Sequence, residues 1–234
     1  MSALWQRTPV VIRAVLIGFA IAAAGTLPWV TLAGVILRSP YSLAWEVPVM
    51  GLYLALFWRY LNGWGWPKST SAFRCKSLRA RSLDADVWAS AVAFGVLAVA
   101  VVVSLQFAFS HLVHTPESRS PALSAYPWYT VVPALMMGGV VAGVVEEAAF
   151  RGYMQSIIER RHGPVIAIAV VSAVFAASHF SHGVAQTLPR LPFYFLIGVI
   201  YGILTYWTGS ILPALVIHAS GDVLEFLMAW ATAH

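Results

Sequence analysis

Apolar residues run along this chain in long unbroken stretches rather than in the three-and-four spacing of a surface helix or the alternation of a half-buried strand. Seven stretches stand out, at about 10 to 37, 43 to 62, 87 to 111, 129 to 158, 164 to 181, 191 to 208 and 211 to 231. Each is near the roughly 20 residues that carry a helix across a bilayer. Only helices and closed barrels satisfy every backbone group in hydrocarbon, and the runs of Ala, Val, Ile and Leu lack a barrel strand's alternation. The pattern predicts an all-α polytopic transmembrane helix bundle of about seven spans, within a range of six to eight. Residues 63–86 form the one sizeable polar interval, with Trp64 and Trp66 placed as in an interfacial belt.

The breaks between stretches carry their own chemistry. Arg7 and Arg13 precede an Ala-rich run with small residues at Ala22 to Ala24, as in a signal peptide. The apolar character continues through Val30 to Leu37, so the first span is expected to be a retained anchor. Pro28 and Pro48 are expected to bend their helices, which neighbouring helices tolerate in a bundle. Span four ends in Glu159, Arg160, Arg161, His162, Gly163 and Pro164, a helix stop built from terminal cations, a glycine and a proline. Spans four and five then form an antiparallel hairpin. Glu146 lies 15 residues before Arg161 and His179 lies 15 after Pro164, so both are expected at the same level, roughly 22 Å from the turn.

Composition removes the soluble alternative, since 60% of the 234 residues are apolar and 10% are charged. A net charge of +5 invites a nucleic-acid reading, but the positions of the cations argue otherwise. Arg7, Arg59, Lys68, Arg74, Lys76, Arg79, Arg81, Arg160 and Arg161 fall at one side of the predicted bundle, and Arg38, Arg119 and Arg190 at the other. This is the positive-inside asymmetry of a membrane protein, which places the N-terminus in the cytosol and leaves no call for nucleic acid. The single Cys75 supports neither an intrachain disulfide nor a metal framework.

Against that background, ionisable residues inside the spans need a reason, because each costs about 2.5 to 3.5 kcal/mol at the bilayer centre. Glu147 and Arg151 are one turn apart on span four and can pair. Glu146 is rotated by about 100° onto the stripe of Phe150 and stays available for chemistry. His179 follows Phe175 by one turn, and His218 precedes Asp222 by one turn. Glu146, His179, His218 and Asp222 are thus a candidate reaction centre on three helices. Gly139 with Gly143 and Gly198 with Gly202 form GxxxG patterns, read as ordinary close packing. His218 would lie only about 10 Å from the basic side, so meeting Glu146 requires the hairpin of spans four and five to project about 12 Å, or strong tilting. Gln155, Glu159, Arg160 and Arg161 are expected in water on that projection. Weaker candidates are His111 with His114, His182, Glu46 and Glu225.

The series Glu146-Glu147-Ala148-Ala149-Phe150-Arg151, Phe175 to His179 and His218 to Asp222 resembles the EExxxR, FxxxH and HxxxN/D motifs of the CPBP family. These are the CAAX proteases and bacteriocin-processing enzymes, also called the Abi family. The resemblance covers about 131 to 231, and suggests a division into N-terminal transmembrane helices with a basic cytosolic loop (1–127) and a catalytic helical core in the last four helices (128–234). It implies an intramembrane endopeptidase acting on a membrane-associated or lipidated peptide or protein, in which Glu146 and His179 activate a water. The oxyanion role falls to His218 and Asp222, with Glu147, Arg151 and Phe175 supporting. An ionised Asp222, unlike Asn, cannot donate to an oxyanion, so Asp222 is either protonated or orients His218. No metal is preferred. Zinc is the rival cofactor, its ligands then being Glu146, His179, His218 and Asp222. A proton-coupled transporter and a non-catalytic scaffold or immunity protein are the alternatives from other classes. A bacterial inner membrane is the expected location.

Overall fold

The computed structural model describes residues 7–36, 43–112 and 127–231. Besides short 3-10 turns at Lys68–Thr70, His179–His182 and Leu188–Arg190, the described elements are α1 (Val10–Ile36), α2 (Leu43–Leu61), α3 (Ser71–Leu78), α4 (Ala85–Leu112), α5 (Trp128–Glu146), a π-helix (Glu147–Met154), α6 (Gln155–His162), α7 (Pro164–Ser178), α8 (Val184–Thr187), α9 (Leu191–Thr208) and α10 (Leu212–Ala231). No strand occurs among the described residues. The chain is the expected polytopic helix bundle. Segments Val10–Val35, Ala85–Leu112, Trp128–His162, Leu188–Thr208 and Leu212–Ala231 are long and apolar enough to cross a membrane. The other two expected spans form α2, which carries Glu46 and Arg59, and α7, apolar but only 15 residues long.

The column α5–π–α6 runs through the middle of the bundle. On one side Val141 and Val145 pack with Met50 and Leu54 of α2, and on another Ala149 and Met154 of the π-helix pack with Ala14 of α1 and Val171 of α7. Lipid gives such contacts no hydrophobic advantage, so close packing has to hold them, and small residues permit it. A Cβ on Gly139 would lie 2.7 Å from the backbone nitrogen of Val223, and one on Gly143 would lie 2.7 Å from that of Ala219. The α5 and α10 backbones therefore meet over one antiparallel stripe, a four-residue step along α5 answering a four-residue step back along α10. The next step along that stripe brings Glu147 level with the start of α10.

The basic end is a clamp rather than a free loop. Arg74 is buried, with its guanidinium over the Tyr60 ring and donating to the carbonyls of Tyr60, Trp64 and Pro67 and to the Thr70 hydroxyl. Its several donors gather these acceptors from across the turn, and that orders the segment after α2. The following residues reach both helical turns at this end. Arg79 pairs with Glu159 at 2.9 Å and Arg160 donates to Ser77, while the Arg79 carbonyl accepts from the Ile211 amide and the Arg81 carbonyl from the Ser210 hydroxyl. Arg81 also donates to the Thr208 carbonyl at the end of α9, where Gly209 takes a left-handed φ of 65°. A side chain there would be strained and would also collide with the Arg81 guanidinium.

Candidate active site

Glu146 closes α5 and Glu147 opens the π-helix, a wider turn of a kind that recurs at functional sites. The two neighbours have different surroundings. Glu147 is fully buried, with Oε1 3.3 Å from Nη1 of the equally buried Arg151, as the one-turn spacing predicts. That same Oε1 lies 2.8 Å from Nδ1 of His218. Glu146 keeps 31% of its side chain exposed, and its Oε2 lies 3.9 Å from Nε2 of His218. Asp222, 26% exposed, places Oδ2 3.5 Å from the same nitrogen. His218 therefore has its Nδ1 edge on a buried carboxylate and its Nε2 edge turned towards two carboxylates that open to space.

Phe175 joins this group to His179. Its ring stands edge-on to Phe150 (5.3 Å between centroids), His179 (4.9 Å) and His218 (6.1 Å), and the Arg151 guanidinium lies 4.3 Å above it. His179 begins a short 3-10 turn at the end of α7, and its Nδ1 lies 2.9 Å from the Phe175 carbonyl. Its carbonyl accepts from Thr187 of α8, which anchors the turn. The Phe of FxxxH and the Arg of EExxxR thus meet physically, and Phe175 touches both histidines.

The contact of Glu146 with His218 also accounts for the difference in depth. His218 is six residues into α10, about 9 Å from its start, whereas Glu146 is sixteen residues from the end of α6, about 24 Å along a regular helix. Their meeting requires either that the α6–α7 turn projects past the α9–α10 turn or that the helices tilt, and residues 77–81 contact both ends. Gln155 departs from the aqueous position expected for it. It is fully buried and its Nε2 donates to the Gly202 carbonyl at 3.0 Å. Arg151, one turn earlier, reaches the Gly198 carbonyl at 3.5 Å, so the second GxxxG supplies acceptors as well as space.

Residues 127–224 match the family model described as Type II CAAX prenyl endopeptidase Rce1-like. The Rce1-like match takes in all three motifs and agrees with the CPBP resemblance. It suggests CAAX-type intramembrane protease activity and does not favour a transporter or a scaffold. No curated protein and no solved structure matches the chain. The Rce1-like segment ends just after Asp222, and Glu225 lies exposed beyond it.

Glu46 is fully buried on α2, and neither carboxylate oxygen has a hydrogen-bond partner among the described residues. His111 is exposed at the end of α4 with its ring on Phe107, while His114 and the side chain of His182 lie outside the described residues. Two site neighbours carried no motif: Tyr194 is stacked on His179 and Tyr201 on His218. Their spacing on α9 was the only signal available.

Among the described residues no three His, Cys, Asp or Glu side chains are gathered to hold one metal ion. Glu146 and Asp222 both approach the Nε2 of His218, and the Phe175 ring lies edge-on to both histidines.

Proposed function

We propose that this protein is an intramembrane endopeptidase in which Glu146 is the general base for a water that attacks a peptide carbonyl, with His179 sharing that water. The reading rests on the environment of Glu146: partly open, with no cation paired closely to it, and beside His218, while its neighbour Glu147 is consumed by structure. Glu146 takes one proton as the water oxygen bonds to the carbonyl carbon. Collapse of the tetrahedral intermediate breaks the carbon–nitrogen bond, and that proton passes to the departing amine.

His218 donates through Nδ1 to Glu147, which fixes the ring on that edge. Carrying a proton on Nε2 as well, the ring donates from its other edge to the developing oxyanion, and Asp222, whose Oδ2 lies 3.5 Å from that same nitrogen, holds the edge in place. This assigns the Nδ1 side of the ring to Glu147 and leaves an Asp in the last motif compatible with catalysis. The reaction is taken as metal-free. The substrate is a membrane-associated or lipidated peptide or protein, reached from the cytosolic face on which the basic clamp sits.

The test compares membrane peptides in cells carrying Glu146→Gln or His179→Ala with wild type at equal expression. A peptide that accumulates in both variants, and that purified wild-type protein cleaves, is the expected result. Full processing by both variants would defeat the reading.

A further inference from the structure

We propose that α9 is a positioning rack for both imidazoles of the site, with Tyr194 setting the ring plane of His179 and Tyr201 that of His218. The inference rests on the peptidase reading for its consequences, though not for its geometry. Tyr194 and Tyr201 are seven residues apart on one helix, two turns, so their side chains leave the same face. Each ring lies nearly parallel to one histidine: centroids 3.9 Å apart at 18° for Tyr194 on His179, and 5.2 Å at 25° for Tyr201 on His218. No part of EExxxR, FxxxH or HxxxD includes either tyrosine.

The two imidazoles are held alike. His179 has Nδ1 on the Phe175 carbonyl, a Phe175 edge to one side and a tyrosine against its face. His218 has Nδ1 on Glu147, a Phe175 edge and a tyrosine face. Polar contacts at its edge still allow an imidazole to tilt, whereas a flat ring against its face restrains that tilt and helps to aim Nε2. Tyr201 is itself backed by the Arg151 guanidinium, 5.3 Å from its centroid. Gly198, between the tyrosines, allows α9 close enough: a Cβ there would lie 3.0 Å from the Ser172 Cβ and 3.1 Å from its Cα on α7. The second GxxxG is what brings the rack onto the rings.

A rack needs flat rings, whereas simple filling of space needs only volume, so Leu and Phe substitutions separate the two. Tyr194→Leu and Tyr201→Leu are expected to lower kcat by about 10- to 100-fold with KM little changed, as for misaligned catalytic groups, and Tyr→Phe is expected to recover most of the loss. In protein labelled with 15N-histidine, the ring signals of His179 and His218, assigned through His179→Gln and His218→Gln, should move in the matching Leu variant and stay near wild type with Phe. Tyr194 is only partly buried, so its variants keep the test valid should Tyr201→Leu fail to fold. Unmoved ring signals in Tyr194→Leu, or Phe variants as impaired as Leu, would overturn the rack. Retained cleavage in Glu146→Gln would instead overturn the peptidase reading, and the ring signals would still decide the rack.

Discussion

The Glu147 carboxylate serves two buried partners at once, with Oε1 2.8 Å from His218 Nδ1 and 3.3 Å from Arg151 Nη1. The glutamate adjacent in sequence makes no contact that close. Two neighbouring acids thus divide structure from chemistry, and their neutral isosteres should separate the two.

Glu147→Gln leaves Arg151 as a fully buried cation without its counter-charge, a change worth about 3–5 kcal/mol when one partner of a buried pair is lost. Glu146→Gln removes a partly exposed carboxylate whose nearest ionic contact is at 3.9 Å. Thermal unfolding in detergent should show a marked fall in Tm for the first and little change for the second. Cleavage should fall in both, by about 10²- to 10⁴-fold for Glu146→Gln, the range of a lost general base. Equal Tm losses in the two variants would show that the division is wrong.

Gly143 faces the Ala219 backbone, and a methyl there would sit 2.6 Å from the Ala219 Cβ. Gly143→Ala must push α10 outwards and carry His218 away from Glu147. A loss of about 1–3 kcal/mol, the usual cost of overpacking, is expected together with a fall in kcat. Gly221→Ala is the matched control on α10, since a Cβ there meets nothing within 4 Å. A Gly143→Ala protein with wild-type Tm and kcat would mean that the α5–α10 contact does not set the site.

The helices were legible because bilayer length and apolar runs specify them directly, and α5 and α10 were correctly foreseen as carrying Glu146 and His218. The π-helix was not legible: nothing in Glu147–Met154 differs in composition from an ordinary helical turn, and its wider winding depends on neighbours packed all round it. Gln155 was misplaced for a related reason. A polar residue near a charged helix end reads as solvated, and only the tertiary approach of Gly202 supplies the carbonyl that lets it be buried. The Glu147–His218 bond joins residues 71 apart, a pairing that helix spacing alone does not specify.

Arg74 holds the polar segment together from within, so its loss should be felt locally. Arg74→Ala removes the guanidinium donors to the carbonyls of Tyr60, Trp64 and Pro67 and leaves a cavity against the Tyr60 ring, at a cost of about 2 kcal/mol. Hydrogen exchange should rise across residues 60–80 and spread to the Ser210 and Ile211 contacts with Arg79 and Arg81, with the middle of α10 unchanged. Protection unchanged across 60–80 would show that this segment is held by other contacts.

Metal dependence follows from how the histidines are held. His218 and His179 each place Nδ1 against a protein acceptor, and the Phe175 ring lies edge-on to both. Neither Nδ1 is then open to an ion, in keeping with the proposed metal-free activation of the water. Cleavage by purified protein is expected to survive prolonged treatment with a strong chelator, and added zinc is expected to do no more than inhibit. Activity lost on chelation and restored by one equivalent of zinc would establish that the water is activated by the metal.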